Sequence, residues 1–188
     1  RFRNVTGVQT CALPISLPLI DFGPFREATS AGRREVPRAI RDAAESIGFL
    51  YLVNHGIAQS VTDAAFDAGR KFFALPFEAK QDIKIREQRG YQAYKGVQRP
   101  GFLPNLNESF FMGLDLKPDD PDVVAKLPLH GPNQWPSAMP EFRAPMEAYF
   151  NAVFALGHDL LRACALALER SEEHTSELQS RFGISYAV

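Results

Sequence analysis

Apolar positions along the chain fall into blocks of strand and helix periodicity, and one block organises its neighbours. Phe49-Leu50-Tyr51-Leu52-Val53 is an unbroken apolar run stopped by Asn54-His55-Gly56, the pattern of a strand covered on both faces. Such a strand needs packing partners on each side. Amphipathic helices predicted before and after it supply one cover, and the sequence offers no evident second. Leu17-Pro18-Leu19-Ile20-Asp21-Phe22 alternates and stops at Gly23-Pro24, which predicts a short strand. Val36, Ala39, Ile40, Ala43, Ala44 and Ile47 line one helical face. Pro37 is expected in the first turn of that helix and Gly48 at its stop.

Ser60-Val61-Thr62-Asp63 has capping-box spacing and opens a second helix with Ala65, Gly69, Phe72 and Phe73 as its buried stripe. Leu75-Pro76 ends that helix, and Pro76 opens a brief one through about Ile83. Lys80 to Arg89 is charged and expected to face solvent. Gly90, Gly96, Pro100, Gly101 and Pro104 mark a loop from Arg89 to Pro104 that carries Tyr91, Tyr94 and Phe102. Glu108 to Gly113 reads as another strand, and Asp115 to Trp135 as irregular and turn-rich. A long helix follows from about Pro140, with Phe142, Met146, Tyr149, Phe150, Val153, Leu160, Leu161, Cys164 and Leu168 inward. No internal repeat is present.

Composition narrows the classes. The 188 residues suit one domain, and 45% apolar with 23% charged residues is ordinary for a globular protein. A formal charge of −1 argues against nucleic acid or a membrane surface as partner. The arginines between Arg26 and Arg41 fit a solvated helix face better than a phosphate track. No apolar run approaches the roughly 20 residues of a membrane span. Cys11 and Cys164 are too few for a disulfide framework, which fits a reducing cytoplasm.

Both ends depart from the pattern. Val5 to Ser16 and Arg170 to Ser180 resemble translated sequencing-adapter read-through. Residues 1–16 and 170–188 are therefore expected to be non-native or disordered tails, with 17–169 as the folding part and the native gene continuing past Glu169. The other reading is a pair of natural, poorly ordered termini.

The order of the pieces carries a resemblance. Leu17 to Phe22, Gly48 to Gly56, Lys71 to Lys80, Arg89-Gly90-Tyr91, Asn107 to Phe110 through Gly113, and Gly131 to Pro136 follow one another as in the N-terminal region of the isopenicillin N synthase-like dioxygenases. The resemblance spans about Leu17 to Glu169. It implies an α+β fold, with helices packed on a few strands of an incomplete double-stranded β-helix (jelly-roll) sheet. It also implies an intact protein that uses Fe(II) and 2-oxoglutarate to hydroxylate, desaturate or close a ring on a small molecule. In such enzymes two His and one carboxylate hold the iron.

A His-x-Asp/Glu pair on a strand would place both ligands on one side. His55, His130, His158 and His174 each lack a carboxylate two positions on, and no Arg-x-Ser is present. In the family those residues lie in the later half. The resemblance therefore implies no metal ligand and no catalytic residue here, with neither iron nor 2-oxoglutarate bound by this chain. His55 is expected to stabilise a turn, and Cys164 to pack in the core.

Arg89, Tyr91 and Tyr94, on the Gly-rich segment, are the candidate substrate-binding residues. Arg89 would pair with a substrate carboxylate, or else is a surface arginine beside packing tyrosines. Glu108 and Phe110, on the next strand, are weaker candidates; Glu108 could instead satisfy backbone groups. Two other functions stay open. One is a non-catalytic small-molecule or protein binding module. The other is an unrelated small enzyme using His55 or His158.

Overall fold

The computed structural model describes residues 16–94, 96, 101, 103 and 106–170. The expected tails lie outside them, apart from Ser16 and Arg170, as do Cys11, His174, Pro100, Phe102 and Pro104. The described residues fall into two compact units, one of residues 16–56 with 159–170, the other chiefly Ile57–His158.

In the first unit, strand β1 (Leu19–Asp21) pairs in parallel with β2 (Tyr51–Val53). Between them in sequence come the single-turn helix α1 (Gly23–Arg26) and helix α2 (Gly32–Ser46). Ile20, Phe22, Phe25, Val36, Ile40 and Ala43 are buried, so the expected helical face packs through Val36, Ile40 and Ala43, whereas Ala44 and Ile47, at its end, are exposed. Phe22 and Phe25 stack with ring centroids 5.2 Å apart. The Asp21 carboxylate accepts from the Gly23 amide and the Asn54 side chain, both at 3.0 Å, which ties the two strand ends together.

Two expectations fail in this unit. The run 49–53 is not covered on both faces: Phe49 is 71% and Tyr51 60% exposed. Among the described residues its sheet has two strands, fewer than a strand buried on both faces needs around it. Pro37 lies inside α2 and not in its first turn. The helix starts four residues earlier than the apolar face indicates; its N-cap, Ala31, offers no side-chain cap, and the Thr29 hydroxyl accepts from the Gly32 amide at 3.0 Å. Gly48 does end α2. At φ +80° its amide turns back to the Ala43 carbonyl at 2.9 Å, a geometry that favours glycine.

The second unit holds helix α3 (Gln59–Phe73), helix α4 (Phe77–Gln81), strands β3 (Gly90–Gln92) and β4 (Ser109–Phe111), and the short helix α5 (Pro121–Val124). A 3-10 turn (Pro140–Phe142) leads into helix α6 (Arg143–Ala167). The division between the units falls within α6, after His158. The fold is thus mixed helix and strand with few strands, as the α+β expectation has it.

α3 begins at Ala58 with no side-chain cap. Ser60 is already helical, and Asp63 accepts from Gln59 Nε2 at 2.9 Å instead. Leu168, expected inward on α6, is exposed; Ala163, Ala165 and Ala167 are buried in that stretch.

The core of this unit is aromatic. Phe72 is fully buried, stacks on Phe142 at 4.6 Å and meets Phe73, Tyr91 and Phe110 edge-on. Such pairings add to area burial through the quadrupoles of the rings. β3 and β4 pair antiparallel, with Tyr91 opposite Phe110.

The expected loop after Arg89 is therefore a strand at its start. Gly90 makes that possible: at φ +100°, a Cβ would come within 2.3 Å of the Ile83 carbonyl oxygen. The Tyr91 amide donates to that same oxygen at 2.7 Å.

Candidate functional site

The charged stretch from Lys80 to Arg89 does not simply face solvent. Helix α4 presents Lys80 inward, leaving it 6% exposed. A buried ammonium needs partners. Its Nζ donates to the Phe73 carbonyl at 2.9 Å and to Glu108 Oε2 at 2.8 Å, and lies 5.3 Å from the centre of the Tyr91 ring. The Tyr91 hydroxyl donates to the same Glu108 oxygen at 2.5 Å. One carboxylate oxygen thus collects two donors from two elements. Among the described residues, none donates to the second oxygen.

Partial burial of Glu108 by itself raises its pKa. Hydrogen bonds from Lys80 and Tyr91 and the Lys80 charge outweigh it, so the carboxyl sits below its usual range. Tyr91 is 1% exposed. Burial first, then the hydrogen bond to Glu108 and its charge, push the phenol up to about 12.

The signs differ. A depressed Glu108 contributes stability that is present above its unfolded pKa and lost as pH falls through the folded value. A raised Tyr91 contributes stability that is complete below roughly pH 10, its unfolded pKa, and lost as pH rises through about 12. At 1.36 kcal/mol per unit, the tyrosine contribution is roughly 2–3 kcal/mol. Urea titrations between pH 9 and 12 should show this alkaline loss in the parent chain and a shallower one in Tyr91→Phe. Equal slopes would contradict the assignment.

Glu108, Ser109 and Phe110 face a cavity of about 580 Å³ that Phe66, Phe73, Met146 and Tyr149 help to wall. The side chain of Glu108 is 32% exposed there. Arg70 stands at this cavity too, paired with Asp67. Of the residues singled out from the sequence, Glu108 and Phe110 line the cavity, and Tyr91 supports Glu108 from behind.

Arg89 lies elsewhere and is buried. Its guanidinium donates to the carbonyls of Leu129 at 2.7 Å and Gln88 at 3.2 Å. Burial pulls its pKa down, partly opposed by Asp115. Two of its donors are thus spent on backbone, and it is not a surface arginine. Tyr94 is exposed and is not among the cavity's walls.

Three residues escape the sequence reading. Lys80 is hidden in a charge run, and its partner lies 28 positions away. Asn133 and Gln134 bind backbone beside the strands. The Asn133 side chain exchanges hydrogen bonds with Gly113 at 2.9 and 2.8 Å, while Gln134 Nε2 donates to the Arg89 carbonyl at 2.7 Å. Amides inside the turn-rich Gly131–Pro136 segment were the available signal. His158 packs edge-on against Phe154 at 4.7 Å, and burial raises the Cys164 thiol.

Residues 17–138 match the family described as non-haem dioxygenase in morphine synthesis, N-terminal; the chain belongs to that family. A 2-oxoglutarate-Fe(II) type oxidoreductase of Emericella nidulans is 32% identical over 166 residues, 85% of this chain and 48% of the relative. Homoarginine-6-hydroxylase of Arabidopsis thaliana is 32% identical over 165 residues, 83% and 49% of the two chains.

Among solved structures, a full-length Neurospora crassa protein in complex with alpha-KG superposes with a TM-score of 0.68 at 28% identity, covering 84% of this chain and 49% of that one. The rice dioxygenase for auxin oxidation gives 0.54 at 26%, covering 82% and 46%. The chain spans about half the length of the curated relatives it matches.

Among the described residues, no group of three or more His, Cys, Asp or Glu side chains is placed to hold a metal ion. Nor is any helix among them long and apolar enough to cross a membrane.

Proposed function

We propose that this chain is the front part of a cytoplasmic Fe(II)/2-oxoglutarate-dependent oxygenase that hydroxylates, desaturates or ring-closes a small molecule. In this reading, residues 17–169 are the N-terminal region of the enzyme. The iron and 2-oxoglutarate ligands belong to sequence beyond it, and the chain alone is inactive. The observation that carries the reading is the family match over residues 17–138, in a chain that spans about half of its relatives.

The cavity supports a substrate-side role for the residues around it. Glu108 and Phe110 form its β4 wall, Tyr91 and Lys80 hold the Glu108 carboxylate in place, and Arg89 fixes the segment that leads into β3. Tyr94 is retained as a contributor from the exposed end of that segment. In this reading the chain's share of the work is to bind and orient, and proton and electron traffic is assigned to sequence beyond it.

Purified chain should show no tight ferrous binding in an anaerobic titration and no oxygen uptake with ferrous ion and 2-oxoglutarate. Stoichiometric iron binding with keto-acid-dependent oxygen consumption would overturn the reading.

A further inference from the structure

We propose that the cavity between α3, β4 and the first half of α6 takes a compact, uncharged aromatic or alicyclic molecule that donates a hydrogen bond to Glu108. The inference rests on the reading of Glu108 and Phe110 as substrate-side residues, and names the class of ligand they accept. Three observations carry it.

First, the walls are mostly apolar: Phe66, Phe73, Phe110, Met146 and Tyr149 surround about 580 Å³, a volume typical of small-ligand pockets. Second, among the described residues the carboxylate in the wall has an oxygen to spare. Lys80 and Tyr91 both donate to Oε2, and among the described residues nothing donates to the other oxygen. A ligand N–H or O–H placed there gains a charge-assisted hydrogen bond.

Third, charge decides against an ionic ligand. Lys80 already balances Glu108, and Arg70 is already balanced by Asp67. A cation at the spare oxygen would meet the Lys80 ammonium across the same carboxylate. An anion would meet the carboxylate itself. A neutral donor meets neither.

Gly69 supplies a control. It lines the cavity, and a Cβ built on it meets no atom within 4 Å. A larger side chain there fills the space and, in mid-helix, raises helix propensity.

The test uses the full chain and four probes built on one p-tolyl ring: p-cresol, 4-methylanisole, 4-methylbenzylamine and the 4-methylbenzoate anion, titrated by saturation-transfer NMR. p-Cresol should bind about tenfold more tightly than 4-methylanisole, and both charged probes more weakly than p-cresol. Gly69→Leu should abolish p-cresol binding with an unchanged far-UV spectrum. Glu108→Gln should cut the cresol preference to about threefold or less.

Equal binding of cresol and anisole, a preference for either ion, no saturable binding, or binding that survives Gly69→Leu would each overturn the proposal. None of these results bears on whether the downstream gene encodes an iron site, so the family reading is tested separately.

Discussion

Replacing Phe72 with alanine is expected to destabilise the Trp135-reported unfolding transition by about 4 kcal/mol. The side chain is fully buried and touches four other rings, the closest being Phe142 at 4.6 Å. Truncating a buried Phe costs roughly 3–5 kcal/mol, from lost transfer energy and the cavity left behind. The upper part of that range applies because the neighbouring rings come from α3, β3, β4 and the 3-10 turn, and cannot all collapse inward together. Trp135, the chain's single tryptophan, lies 5.8 Å from Phe110 and 6.2 Å from Phe142, so its fluorescence reports on this cluster. Phe77→Ala, at a residue more than half exposed, serves as the reference and should stay within about 0.5 kcal/mol. Similar losses for the two variants would show that the aromatic cluster is not the core.

Lys80→Met is the second large effect. The substitution keeps much of the apolar stem and removes the ammonium. It strands the Phe73 carbonyl and leaves Glu108 charged with only Tyr91 donating. Breaking a buried ion pair costs roughly 3–5 kcal/mol. Glu108 is about a third exposed, so water recovers part of that, and about 2–3 kcal/mol is expected. Adding Glu108→Gln to Lys80→Met should restore about 1 kcal/mol of it or more, within the range of coupling found between contacting residues. Urea midpoints of the two single variants and the double variant measure this directly. Strictly additive losses would mean that Lys80 and Glu108 do not act as a pair.

How much of this was legible in the sequence depends on the range of the interaction. Helices α2, α3 and α6 follow from three-and-four spacing, because their faces are set by residues one turn apart. The turn signals at Gly48 and Pro76 are local too, and both hold. The family resemblance also survives, since it rests on several short patterns in order.

What failed was long-range. Lys80 looks like one more charge in a charged run, and only the arrival of Glu108, just before the start of β4, explains why it is buried. Tyr91 reads as a loop residue because Gly90 precedes it, whereas the glycine is there to let β3 pass close to Ile83. Arg89 offered a guanidinium for a substrate carboxylate, yet it is buried, with two of its donors spent on the carbonyls of Gln88 and Leu129, the second 40 positions away, and its Nε without a hydrogen-bond partner among the described residues. The open face of 49–53 had a visible signature, the missing second cover.

On the proposed reading, the chemistry of this polypeptide resides in sequence that follows it. The uninterrupted genomic sequence of the locus past Glu169 decides the matter. The reading frame is expected to continue with a His-x-Asp pair, a later His and an Arg-x-Ser. A frame that stops naturally at Val188, or continues without those residues, would refute it.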